Sequence, residues 1–256
     1  MRYNFPLINQ QLSIRLDCDL AAVTPGKVTV VETPRRLAAE EHFSYVRALW
    51  WMWLADGRSV LSVPPGVGPE IAALIAGIDD PHCVHDPALA MALRGAIDRA
   101  LGKAGLPGTH QVFTDYSFAC NADLLRRYSG GDCRRLTNAM LPHADDLWWP
   151  VPCINDSIAY GVLVGDVVSA IAYAHRTAIM PGQVVDVAVC TAEAHRRRGY
   201  ARTAVSALVA HAACTGGEAR YTCDVDNLAS IATARSVGFV EYGVSLSLLA
   251  PAGGSG

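Results

Sequence analysis

The chain reads as an α/β protein in two parts, an N-terminal α/β domain over residues 1–130 and a second α/β unit with a mixed sheet over 131–256. Three observations point there. A length of 256 residues is enough for two modest cores. The composition, 51% hydrophobic and 18% charged, is that of a globular folder rather than a disordered chain. From residue 157 onward, β-branched runs and helical stretches follow one another in a regular mixed order.

In the first part, Lys27–Glu32 is β-branched and reads as a strand, and Pro34 admits a short helix. Arg58–Val63 is a second strand, stopped by Pro64-Pro65-Gly66. Pro69–Ile78 and, more strongly, Pro87–Leu101 read as helices, the latter with proline where a helix start tolerates it. His110–Thr114 reads as a strand, Asn121–Arg127 as helical and Cys133–Thr137 as strand-like. The cluster Leu49-Trp50-Trp51-Met52-Trp53 reads as core or interface. A connector rich in proline and tryptophan, with Asp145-Asp146 and Trp148-Trp149, runs from Leu141 to Pro152.

Ser157–Val164 and Val167–His175 are strands joined at Gly165-Asp166, a hairpin signal. Gln183–Cys190 is a third strand. Tyr200–Ala213 is a helix with Ala204, Leu208 and Ala212 on one side. Ala219–Asp224 is a strand, Asn227–Val237 a helix closed by Gly238, and Phe239–Leu249 supplies one or two final strands.

The formal net charge is -3, and the densest basic run, Arg196–Arg198, is too short for a duplex-binding face, so no nucleic-acid partner is expected. The start of the sequence lacks the pattern of a signal peptide. The apolar run Ala48–Ala55 falls short of the roughly 20 residues that span a bilayer. The expectation is a cytoplasmic protein without a membrane partner, with a homodimer left open. The eight cysteines include no C-x-x-C pair, so neither a zinc site nor any other metal is expected.

The segment that carries chemistry is Val189-Cys-Thr-Ala-Glu-Ala-His-Arg-Arg-Arg-Gly-Tyr-Ala201, which joins a strand to a helix. Gly199 removes a side chain at the turn and Ala201 keeps the next one small. A diphosphate can then approach the N–H groups of the helix start, where the partial positive charge favours an anion. Neighbouring arginines complement phosphate. On these grounds alone the segment is either a phosphate site or a solvated basic turn.

The same segment resembles the signature of the GCN5-related N-acetyltransferases, the GNAT superfamily, whose acyl-CoA loop reads Gln/Arg-x-x-Gly-x-Gly/Ala; here it is Arg196, Gly199 and Ala201. A second block, Asn227 followed by a helix and Gly238-Phe239, matches the family in order and spacing. The resemblance is most specific over 183–240 and implies a GNAT-like acyl-CoA N-acyltransferase fold with acetyl-CoA as cofactor. It implies that the backbone from Arg197 through Arg198, Gly199, Tyr200 and Ala201 to Arg202 holds the CoA diphosphate. Val189, Cys190 and Thr191 would run beside the pantetheine arm, Arg196 would join the phosphate contacts, and Asn227 and Ser230 would meet the cofactor at the second helix. One departure stands out: the tyrosine that many members carry seven residues after the asparagine is Ala234 here.

For the amine side, Asp186 is the first candidate as base or orienting group, because an isolated charge in an apolar strand seldom occurs unpaired. Glu193 in the loop and His175 at a strand end follow. Each also has a structural reading, as an ion-paired carboxylate, a solvated loop residue and a strand-end residue. The expected function is transfer of an acetyl group from acetyl-CoA to a primary amine of a small molecule. A protein or peptide N-acetyltransferase and a non-catalytic acyl-CoA sensor are the alternatives.

Overall fold

Ile8, Leu12 and Leu16 recur at every fourth position and are each fully buried, which makes Pro6–Leu16 a helix, α1. The sequence reading starts its elements at Lys27 and passes over this one, because Gln10, Gln11 and Ser13 interrupt a short apolar repeat. The computed structural model describes residues 4–40, 44–143, 158–175 and 183–252. Asp145, Asp146, Trp148 and Trp149 of the expected connector lie outside the described residues. By compactness the chain divides into two units, one of residues 1–4, 9–117 and 242–256, the other of residues 5–8 and 118–241.

The first unit is built on β1 (Val28–Glu32), β2 (Tyr45–Leu54), β3 (Ser59–Val63), most of β4 (Gln111–Cys120) and most of a last strand, β10 (Val240–Pro251). β1 runs parallel to β3 from Val28/Ser59 to Glu32/Val63. β2 lies antiparallel to β3 on one side and to β10 on the other, from Leu54/Gly243 to Tyr45/Pro251. The tryptophan cluster is thus a strand. It escapes the alternation rule because Trp50, Trp51, Met52 and Trp53 are buried on both faces. Trp51 Nε1 donates to Ser59 Oγ at 2.9 Å, while the Trp50 ring lies within 6 Å of the guanidinium carbons of Arg15, Arg36 and Arg47. Glu40 answers that charge, 3.1 Å from Arg47 Nε. Burial pulls buried Arg36 down to about 9, against the attraction of Glu40. Helices α2 (Gly68–Leu74) and α3 (Pro87–Lys103) complete the unit. The Glu32 carboxylate accepts the Gly68 N–H at 2.5 Å, so an internal anion already sits at the start of α2.

The second unit orders its strands β9 (Glu218–Asp224), β8 (Val184–Thr191), β7 (Val167–His175), β6 (Ala159–Val164), β5 (Asp132–Arg135). β8 and β9 are parallel and the rest antiparallel. The expected hairpin forms, with Gly165 at φ 62° in its turn. One face carries an apolar cluster of Leu136, Ala159, Leu163, Val168, Ile171 and Tyr173, with Ala188 and Cys190 packed on it. The other face takes α4 (Tyr200–Cys214): Tyr160, on that face, places its hydroxyl 3.1 Å from His211 Nδ1 of the helix. The expected helix over Asn121–Arg127 is not one. Asn121 Oδ1 receives the Leu124 N–H at 3.3 Å, and Arg126 N–H leaves for the Val237 carbonyl at 2.8 Å. A side-chain turn and a distant acceptor replace the helical ladder.

Glu218, buried at the start of β9, accepts the N–H of Ile8 in the first turn of α1 at 2.8 Å. Burial pushes its carboxyl above the usual range, and the N–H groups of Ile8 and Leu7 offset part of that rise. With the folded value raised, the folded state holds the proton more tightly than the unfolded chain. The stability this gives is complete below the unfolded value and is lost as pH climbs through the folded one. Denaturation midpoints taken from about pH 4 to about pH 7 are expected to show that decline in the wild type and a shallower one in Glu218→Gln. Equal slopes would mean that the carboxyl titrates as in the unfolded chain.

Candidate acyl-donor site

The site begins where two parallel strands part. β8 and β9 hold register only from Val184/Glu218 to Val187/Tyr221. β8 then continues to Thr191 and β9 to Asp224 without further register pairs between them. On its other side β8 stays paired with β7 as far as Thr191, opposite Ala170. Val189, Cys190 and Thr191, all partly exposed, therefore present one backbone edge to β7 and the other to a wedge. Peptide groups along such an edge can hold an extended, amide-bearing arm as a strand would.

At the open end of the wedge, Ala192 N–H is tied to the Ser169 carbonyl at 2.9 Å. A single turn, Glu193–His195, leads into the arginines. Arg197 at φ 62° and Gly199 at φ 81° are both left-handed. α4 begins at Tyr200, and Gly199 gives it no side-chain cap. Its first internal bond is Thr203 N–H to the Gly199 carbonyl at 3.2 Å. The N–H groups of Tyr200, Ala201 and Arg202 therefore have no acceptor within the helix, and they point out along its axis. Left-handed residues next to a helix start turn successive N–H groups toward one concavity, which suits an anion. Arg196, Arg197, Arg198 and Arg202 are exposed around it. Glu193 is also exposed, and His195 sits 6.2 Å from the Tyr200 ring.

On the far wall, α5 (Leu228–Val237) starts from Asn227, whose Oδ1 accepts the Ser230 N–H at 3.1 Å. The helix cap thus uses the carbonyl of that side chain and leaves its amide nitrogen to donate. Ala234 is fully buried in the same helix. Sequence reasoning missed Tyr128, which binds α4 and α5 together. Its N–H donates to Ser206 Oγ at 3.1 Å, its hydroxyl to the Ser236 carbonyl at 3.0 Å, and its ring lies 4.7 Å under the Arg202 guanidinium. Only tertiary structure brings these together; no motif marks Tyr128.

Asp186 lies on the face opposite α4, one residue before the last β8–β9 pair. Its Oδ1 is 2.5 Å from Nε of Arg220, its register partner on β9. The pair is largely buried, so loss of either partner leaves an uncompensated charge. The backbone of His175 pairs with that of Asp186. Asp186 and the backbone position of His175 are thus brought together beside the wedge, whereas Glu193 stands on the exposed loop at its mouth.

Over residues 132–239 the sequence matches the model of the acetyltransferase (GNAT) family. That segment resembles a GNAT domain. Wedge, loop, α4 and α5 all fall inside the matched range. Similar solved structures include a GNAT-family protein from Novosphingobium aromaticivorans, at 20% identity over 56% of this chain and 66% of that one, with a TM-score of 0.47. Another is a GCN5-related N-acetyltransferase from Kribbella flavida, at 22% identity over 66% and 65%, with a TM-score of 0.43. A GNAT-family acetyltransferase from Colwellia psychrerythraea aligns at 13% identity over 55% and 57%, with a TM-score of 0.44. The chain thus spans at most 66% of the length of these structures. No curated protein matches it. No described helix is long and apolar enough to cross a membrane, and no cluster of metal-ligating side chains occurs among the described residues.

The donor groups suit an acyl-CoA. The left-handed turn and helix start suit a diphosphate, the exposed arginines suit its charge, and the edge of β8 beyond Val187 suits an extended arm. Such a group supplies the activated acyl thioester.

Proposed function

We propose that the chain is an acyl-CoA-dependent N-acyltransferase that takes acetyl-CoA and acetylates a primary amine of a small molecule. The observation that carries this reading is the parting of β8 and β9 beyond Val187/Tyr221, directly before a left-handed turn and an uncapped helix start. The N–H groups of residues 197–202 hold the diphosphate, Val189 to Thr191 hold the arm, and Asn227 and Ser230 meet it from α5. Holding donor and acceptor in one cleft supplies much of the rate. The amine side belongs to Asp186, which stands on the face opposite α4, with Glu193 and His175 as alternates.

CoA-thiol release from acetyl-CoA, measured with a panel of primary amines, polyamines and aminoglycosides, tests the reading. Release that depends on an amine is expected. Tight binding without release for any amine would favour a sensor, a second reading that Ala234 supports by placing no hydroxyl on α5 where many relatives have one. Absence of binding would sink both. With a responsive amine, Asp186→Asn is expected to lower kcat/KM by about tenfold to a hundredfold and to leave acetyl-CoA affinity nearly unchanged. An unchanged kcat/KM would return Asp186 to a purely structural role with Arg220.

A further inference from the structure

We propose that Tyr128 is a positioning residue for the acyl donor: its ring holds the Arg202 guanidinium beside the left-handed turn, charged and uncommitted, for a donor phosphate to take up. The inference rests on the acyl-transfer reading.

Two contacts place the guanidinium. It rests close against Gly199, where an added Cβ would stand 3.0 Å from Arg202 Nε, 3.1 Å from Nη2 and 3.3 Å from Cζ. It also lies over the Tyr128 ring, with Cζ 4.7 Å from the centroid. Arg202 thus folds back from the first turn of α4 onto the turn before it, where the first N–H groups of the helix lack helical acceptors.

What holds Arg202 matters as much as where it is held. Arg15, Arg36 and Arg47 share the carboxylate of Glu40, and Arg220 has Asp186. Arg202 is exposed, and among the described residues no carboxylate pairs with it. A ring face attracts a cation through its quadrupole and leaves the charge uncancelled. The guanidinium therefore keeps its net charge and its fork of N–H donors for a phosphate, which it can meet in two parallel bonds.

The platform itself is anchored. Tyr128 N–H donates to Ser206 Oγ at 3.1 Å, and its carbonyl lies 3.4 Å from the same atom, so its backbone is tied to α4 one turn beyond Arg202. Its hydroxyl donates to the Ser236 carbonyl, in the last turn of α5, at 3.0 Å. Gly130 continues the segment along α4, where an added Cβ would stand 3.3 Å from Thr203 Oγ1. The ring thus stays beside α4, and a long side chain that would otherwise sample many rotamers has a favoured resting place. Setting a flexible cation in advance at an anion site lowers the entropic cost of binding.

Calorimetric titration of CoA tests the assignment in the wild type, Tyr128→Phe, Tyr128→Leu, Arg202→Met and the double variant Tyr128→Leu/Arg202→Met. Arg202→Met is expected to weaken CoA binding about tenfold and to leave the urea midpoint in place, since the side chain is exposed. Tyr128→Leu is expected to weaken it about fivefold. Tyr128→Phe, which keeps the ring but not the bond to Ser236, is expected to recover most of that loss. The double variant should bind no more weakly than Arg202→Met alone, because the ring acts through the guanidinium. A loss of undiminished size on adding Tyr128→Leu to Arg202→Met would overturn the assignment, since the residue would then serve the helices and not the cation. Unchanged CoA affinity in Arg202→Met would overturn it too, and that result does not depend on Tyr128→Leu folding. In both cases the wild type binds CoA and the acyl-CoA reading stands. Failure of the wild type to bind CoA would overturn that reading and this one with it.

Discussion

Gly238→Ala is expected to cost about 4 kcal/mol of folding stability. Gly238 closes α5 at φ 103°, a conformation that a side chain strains. A Cβ built there lies 2.0 Å from the carbonyl oxygen of Leu124 and 3.3 Å from the Arg126 nitrogen. Both are backbone atoms, and the Arg126 N–H is bonded to the Val237 carbonyl, so neither can swing away. Strain and collision therefore add. Gly165→Ala separates the two effects. Its φ is 62°, but nothing lies within 4 Å of the new carbon, so it is expected to cost only about 1 kcal/mol. Urea denaturation of both variants decides the point. Similar losses would show that the Asn121–Arg126 turn yields to the helix end.

Gly199→Val is expected to weaken binding of acetyl-CoA by about thirtyfold or more, the equivalent of about 2 kcal/mol. A Cβ at Gly199 meets Arg202 Nε at 3.0 Å, yet that is the mobile end of an exposed side chain and can give way. The strain of a β-branched residue at φ 81° cannot. The exposed loop relieves it by rotating, which turns the N–H groups of Tyr200 to Arg202 away from their common target. Binding rather than the fold bears the loss, so calorimetric titration should change much more than the denaturation midpoint. Arg197→Gly is the contrast. Glycine accepts the φ of 62° at that position, so only one exposed charge is removed and affinity should fall a few-fold. Equal losses in the two variants would mean that charge, not backbone direction, holds the diphosphate.

The second unit was legible in sequence because its signals are local. Gly165 and Gly238 mark turns that no side chain takes easily, and β6 through β9 carry apolar runs of ordinary length. The loop at Arg196–Ala201 combines charge with a glycine. What escaped were features decided by distant partners. β2 hides because burial on both faces erases its alternation. α1 hides because its first turn is satisfied by Glu218, far along the chain. Asn121–Arg127 has helical composition, but the Val237 carbonyl competes successfully for its N–H. Within the site, the turn at Gly199 and the helix start at Tyr200 were readable, whereas the tie of Asp186 to Arg220 depends on the register of two parallel strands.

The last strand has a consequence for synthesis on the ribosome. β2 pairs along its length with β10, so Tyr45 awaits Pro251 and Leu54 awaits Gly243. Three tryptophans of β2 leave the exit tunnel well before the strand that covers one edge of them, which lies roughly 190 residues further along the chain. The first unit therefore stays unfinished until β10 is made, and its greasy strand edge is open to wrong pairing in that interval. Closure over so long a loop is slow on entropic grounds. Nascent chains halted just before residue 243 should depend on holding chaperones far more than the released protein does.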